Sequence, residues 1–183
     1  EYALGDGESR EALLESLTKN QDEYVRQAED ADIIVLAKST GALEFTTGTY
    51  GQEICVDSII KGNEWIDENE TCWIWRSYGM EVMDGQIVYR NVLNLMQDDG
   101  TYLVFLNSNQ LNAYRTEKEF QTASEYFGYL PIEGAKVQPI KENQRNVLYK
   151  EWSEIPVFIS SEKVAAAWNE IAEMLLNKFE PDV

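Results

Sequence analysis

Two tryptophans, Trp73 and Trp75, lie two positions apart in an apolar stretch of the chain. Side chains two positions apart on a β-strand point to the same face, so the two rings would lie side by side. An exposed pair would form an aromatic platform for a sugar, a peptide or a stacked base. A buried pair would fill the interior of a barrel or pack under a terminal helix, and large aromatic side chains are mostly buried. If the rings face inward, then Cys72, Ile74 and Arg76 face outward.

The only two cysteines of the chain are Cys55 and Cys72. The chain has no histidine and no Cys-x-x-Cys motif, so these thiols fit neither a structural zinc site nor a thioredoxin-like redox pair. Two interpretations stay open, namely one disulfide between neighbouring strands or two small buried thiols. A disulfide would favour an oxidising, extracytoplasmic compartment.

The charge balance excludes several classes of function. The chain has 33 Asp and Glu against 15 Lys and Arg, a formal net charge of −18, and no histidine. Without histidine there is no Ser-His-Asp or Cys-His catalytic arrangement. A charge of this sign repels phosphate backbones and anionic lipid surfaces. We therefore expect neither nucleic acid nor a membrane surface as partner.

The many carboxylates offer candidate acid/base pairs or calcium ligands at Asp67-Glu68, Glu70 and Asp98-Asp99. The EF-hand ligand spacing is missing, and a solvated acidic surface is the preferred explanation of these residues. The glycines form no pattern that would cradle a phosphate group. We accordingly predict no catalytic residue, no metal ligand and no cofactor site.

The apolar periodicity predicts short strands between two helices. The strands are predicted over 31–38, 53–61, 71–76, 101–106, 126–132 and 135–140, with a hairpin connection over 41–51. Helical spacing predicts a helix over 9–29, with a candidate break at Asn20, and another over 162–179. No apolar run is long enough to span a membrane. This order predicts a single domain over 1–183, of the mainly β class with flanking helices (α+β), built as a small closed barrel.

Four segments carry a resemblance to a known family: ADIIVLAKSTG, TYGQEICVDSIIKGN, TCWIWRSYG and DDGTYLVFLN. They resemble the netrin-like or tissue-inhibitor-of-metalloproteinases-like OB domain, and more closely its bacterial extracytoplasmic versions. The matching features are Ala31-Asp32, Lys61-Gly62 and the run Gly100-Thr101-Tyr102-Leu103-Val104-Phe105-Leu106. The resemblance implies an OB-like, five- to six-stranded antiparallel barrel over 31–140. The amphipathic pattern of the two terminal helices predicts that they pack outside it. The animal inhibitors use an amino-terminal cysteine and several disulfides, which this chain lacks, so no inhibitory role is carried over.

We expect a non-catalytic binding or interaction domain, with Trp73 and Trp75 as candidate ligand-binding residues and a protein, peptide or glycan as ligand. The resemblance implies an extracytoplasmic bacterial protein, secreted or anchored at the cell surface as a lipoprotein. Because the chain starts at Glu1 without Met, we expect a processed or truncated form with a targeting segment or lipid anchor upstream. The alternatives are a carboxylate-dependent hydrolase and, disfavoured by the charge, an oligonucleotide-binding OB domain.

Overall fold

A computed structural model describes most of the chain, namely residues 7–46, 49–77, 80–83, 86–89, 93–108, 116–133, 137, 155–159 and 161–179. The helices within these residues are α1 (Gly7–Lys19), α2 (Gln21–Glu29) and α3 (Glu162–Lys178). The strands are β1 (Ile33–Thr46), β2 (Thr49–Lys61), β3 (Thr71–Ser77), β4 (Met80–Met83), β5 (Gln86–Tyr89), β6 (Thr101–Asn107), β7 (Glu119–Thr122) and β8 (Tyr129–Pro131). None of the described helices combines the length and apolar character needed to cross a bilayer.

Five strands form a hydrogen-bonded ring. Strand β1 pairs antiparallel with β2 on one edge and with β6 on the other, and β2 pairs antiparallel with β3. Strand β7 runs parallel to β3 and meets β6 only at the pairs Leu106–Thr122 and Asn107–Gln121. Strand β8 adds to β6 as a sixth strand, while β4 and β5 form a separate hairpin.

The predicted class, mainly β with flanking helices, is confirmed. The strands make a ring rather than a regular barrel, because the closure between β6 and β7 is short and the β1–β2 ladder shifts register at several points. The expected antiparallel arrangement applies to every described pairing except the parallel one between β3 and β7.

Several predicted boundaries differ from the observed ones. The helix predicted over 9–29 is two helices separated at Asn20, whose backbone (φ −114°, ψ 26°) leaves the helical conformation. The predicted connection 41–51 is mostly strand, because β1 and β2 continue as a long hairpin. The strand predicted over 126–132 shortens to β8, and the one predicted over 135–140 lies outside the described residues except for Val137.

The core lies between the ring and the helices. Residues 33–37 of β1 and 102–106 of β6 are buried along their whole length and pair with each other. Helix α3 packs against α1 and α2. It buries one apolar stripe, formed by Val164, Ala165, Trp168, Ile171, Ala172 and Leu175. The stripe predicted from the sequence thus covers the interior of the domain.

The start of β1 and the end of β2 meet closely. Gly62 has a positive φ of +93°, and a Cβ atom there would lie 2.6 Å from the carbonyl oxygen of Asp32, so only glycine fits without strain. The Asp32 carboxylate accepts hydrogen bonds from the Ser108 hydroxyl (2.6 Å) and the Ser108 N–H (2.8 Å). These two bonds hold the pKa of Asp32 below its usual value. Asp32 therefore ties the start of β1 to the end of β6.

Candidate ligand-binding site

Strand β3 presents its two tryptophans on the face that points away from the core. Cys72 and Ile74 belong to the buried apolar core, and Arg76 is also buried, with 4% of its surface exposed. Because side chains alternate along a strand, Trp73 and Trp75 lie on the opposite face. Only Trp73 keeps exposed surface on this face, because Trp75 is buried. We call this side of β2, β3 and β7 the outer face.

The two indole rings are stacked. Their centroids are 6.3 Å apart and their planes differ by 29°. Trp75 is only 8% exposed and lies over Gly51 of β2, where a Cβ atom would come within 2.9 Å of the ring. Trp73 is partly exposed. Gly51 therefore lets Trp75 pack against the backbone, and Trp75 in turn supports Trp73, which keeps accessible surface.

Two glutamates flank Trp73 on the neighbouring strands. Glu53 of β2 and Glu119 of β7 are its direct cross-strand partners. The Glu53 carboxylate is partly exposed and accepts a hydrogen bond of 2.7 Å from the Thr40 hydroxyl. Glu119 is buried, with 4% of its surface exposed. Neither glutamate was a sequence-based candidate, because only the strand register brings them beside the ring.

The lysines near this face are held by other carboxylates. Lys38 of β1 forms an ion pair of 2.7 Å with Asp57 of β2, and Lys118 forms one of 2.7 Å with Glu70. Partial burial would raise the pKa of Glu70, but the Lys118 ammonium and the backbone N–H of Asp67 outweigh it and keep this pKa below its usual value. The backbone N–H of Trp73 donates a 2.9 Å hydrogen bond to the carbonyl oxygen of Lys118.

The two cysteines are free thiols, which corrects the disulfide alternative. In the β2–β3 ladder Cys55 pairs with Thr71 and Cys72 pairs with Ile54. A register offset by one residue directs the two cysteine side chains to opposite faces of the sheet. Cys72 therefore points into the core and Cys55 lies on the outer face. Burial, reinforced by the nearby Glu70, raises the pKa of the Cys72 thiol to about 12.

We expect a thiol reagent at pH 8 to modify Cys55 and spare Cys72 in the folded protein, because the buried thiol carries almost no thiolate at this pH. After denaturation without reductant, two thiols per chain should react. The C55S variant should show no fast-reacting thiol when folded and one when denatured. Fewer than one thiol per chain in the denatured wild-type protein would restore the disulfide.

The candidate acidic residues have separate polar partners. Glu70 binds Lys118, and Asp98 accepts a 3.1 Å hydrogen bond from the Ser39 hydroxyl. The backbone N–H of Asp67 donates to Glu70. Within the described part of the chain, no group of three or more His, Cys, Asp or Glu side chains is arranged to hold a metal ion.

No protein-family model matches the chain, and a search of curated proteins finds no significant match. The resemblance to netrin-like domains therefore stays a prediction.

Proposed function

We propose that this protein is a non-catalytic binding domain that holds a protein, peptide or glycan ligand on the outer face, at Trp73. One observation carries the proposal: a partly exposed indole is stacked on a buried one, on the side of the strands that faces away from the core. The Trp75 ring lies beside Trp73 and against Gly51. We call Trp73, together with Trp75 and Gly51, the Trp73 platform.

The platform is held in place before any ligand arrives. Trp73 lies on a strand paired on both edges, with β2 on one side and β7 on the other. A ring fixed in this way loses little conformational freedom on binding, so more of the contact energy contributes to affinity. Tryptophan is also among the residues that most often dominate binding energy at protein interfaces.

We further propose that the domain works outside the cytoplasm, as a secreted or surface-anchored bacterial protein of netrin-like or OB-like type. This part of the proposal rests on the sequence resemblance of the segments around Ala31-Asp32, Lys61-Gly62 and Gly100. The free thiols of Cys55 and Cys72 give it no independent support, because only a disulfide would favour an oxidising compartment.

The hydrolase alternative is less well supported by the described residues. A catalytic acid needs a carboxyl group whose pKa is raised towards the working pH. The described carboxyl groups with a clear pKa shift all titrate below their usual values, namely Glu15, Glu23, Asp32 and Glu70. Each of them accepts a hydrogen bond that favours its charged form. The oligonucleotide alternative conflicts with the net charge of −18.

A glycan and peptide array probed with the folded chain tests the proposal. We expect at least one class of ligand whose affinity falls by about tenfold or more in the W73A variant, as for a central interface tryptophan. The G51A variant should also weaken binding, because the added methyl group would displace the Trp75 ring.

Trp65 provides the matched control, because it is 40% exposed and lies in the turn after β2, away from the paired strands of the outer face. The W65A variant should bind as the wild type does. Thermal melts establish that each variant is folded, and W73L replaces W73A if the alanine variant is not. The proposal fails if no ligand on the array depends on Trp73.

A further inference from the structure

We infer that the ligand of the Trp73 platform is a basic peptide segment of a partner protein, with a Lys or Arg side chain held between the Trp73 ring and the Glu53 carboxylate. This inference rests on the proposed function and names the chemistry of its ligand. The juxtaposition that carries it is the direct cross-strand pairing of a partly exposed indole with a partly exposed carboxylate.

The ring and the carboxylate attract the same kind of group. The face of an indole carries partial negative charge and binds a cation better than other aromatic rings do. Directly opposite side chains on antiparallel strands have Cβ atoms about 5 Å apart. A single ammonium or guanidinium group can therefore contact the Trp73 ring and at the same time donate a hydrogen bond to the Glu53 carboxylate.

Glu53 retains capacity for such a group. Its described partner is the Thr40 hydroxyl, which donates to Oε2. Among the side chains that the structure describes, no Lys or Arg forms an ion pair with Glu53. A partly buried carboxylate beside an aromatic ring loses hydration, and a cation from a partner would compensate for that loss.

The surrounding charges favour an incoming cation. Lys38 and Lys118 are each engaged by a carboxylate, Asp57 and Glu70 respectively, so their charges are largely offset. The chain as a whole carries a formal charge of −18, which attracts basic partners and accelerates their association. A neutral glycan could stack on Trp73 and donate hydroxyl hydrogen bonds to Glu53, but it would gain nothing from this field.

A peptide fits this location better than a small cation does. Small molecules bind mainly in concave pockets that bury most of their surface. The Trp73 platform instead lies along the face of paired strands, where a polypeptide can make contacts over several residues. We therefore assign the cation to a side chain of a partner protein.

The test is a fluorescence-anisotropy titration of the full chain with labelled Gly/Ser peptides that carry lysines, and with matched peptides in which glutamine replaces every lysine. We expect the lysine peptide to bind at least about tenfold more tightly than the glutamine peptide. Added salt should weaken this binding. In W73L, which keeps apolar bulk but removes the aromatic ring, affinity should fall by about fivefold or more, whereas W73F should retain part of it.

The charge at Glu53 is tested against an equal charge elsewhere. E53Q should weaken binding of the lysine peptide by about two- to fivefold. The control E173Q removes the same charge from an exposed position on α3 and should leave affinity nearly unchanged. Equal losses in E53Q and E173Q would overturn the inference, because attraction by the net charge alone would then explain the binding.

The remaining outcomes separate the inference from the proposed function. If a glycan or a neutral peptide binds in a Trp73-dependent way and the lysine peptide binds no more tightly than the glutamine peptide, the cationic ligand is wrong and the binding domain stands. If no ligand of any class depends on Trp73, both are wrong.

Discussion

Replacing Trp168 with alanine is expected to lower the free energy of unfolding by about 3–5 kcal/mol, the usual range for deleting a buried indole. The side chain is fully buried in α3 and stacks on Phe127, with ring centroids 5.4 Å apart and planes 15° apart. Its Nε1–H donates a 3.1 Å hydrogen bond to the carbonyl oxygen of Tyr126. The variant therefore loses a ring contact and a hydrogen bond between α3 and the segment that joins β7 to β8. Urea denaturation followed by circular dichroism measures the loss.

Met174 is the matched control on the same helix. It is 42% exposed and contributes no side chain to the buried stripe. The M174A variant should change stability by no more than about 0.5 kcal/mol, as exposed substitutions usually do. Similar midpoints for W168A and the wild type would show that α3 does not hold the fold together.

Replacing Arg76 with methionine is expected to lower the free energy of unfolding by about 2–4 kcal/mol, because it leaves the buried Tyr129 hydroxyl and a part-buried carbonyl oxygen without their donor. The guanidinium donates to the Tyr129 hydroxyl (3.1 Å) and to the carbonyl oxygen of Glu125 (2.6 Å). Its central carbon also lies 5.3 Å from the centroid of the Tyr129 ring. Arg76 thereby joins β3 to β8 through contacts inside the protein. Chemical denaturation provides the measurement.

Two further variants separate the contributions of the Arg76 guanidinium and the Tyr129 hydroxyl to stability. The Tyr129 hydroxyl donates to the carbonyl oxygen of Asn94, so Y129F removes that bond and the acceptor of Arg76 but keeps the ring. Y129F should lower the free energy of unfolding by about 1–2 kcal/mol, a smaller loss than that of R76M. R76K keeps the positive charge but lacks the planar set of N–H donors of the guanidinium. Its free energy of unfolding should lie between those of R76M and the wild type. A stability of R76M equal to that of the wild type would contradict a structural role for the guanidinium.

Local spacing in the sequence determined much of this protein. The apolar runs at 33–37 and 102–106 indicate buried strands, because few polar groups interrupt them and β-branched residues favour the extended chain. The stripe of α3, including Trp168, follows from apolar residues at helical intervals. The shared face of Trp73 and Trp75 follows from a separation of two positions. Each of these properties depends only on neighbours in the chain.

The orientation of β3 and the existence of β7 depend on how segments distant in the chain pack together. Whether the tryptophans or Cys72, Ile74 and Arg76 face the core depends on which side of β3 the other strands and α3 cover, and both choices satisfy the same alternation. Strand β7 is four residues long and three of them are polar, so it has too little apolar periodicity to be predicted.

The register of β2 and β3 likewise has no local signal. It places Glu53 beside Trp73 and offsets Cys55 from Cys72 by one position, which sends the two thiols to opposite faces. A shift of one residue would reverse both results without changing a single amino acid. The composition of the candidate site is therefore a property of strand pairing between segments distant in the chain, whereas the shared face of its two rings is a property of the sequence.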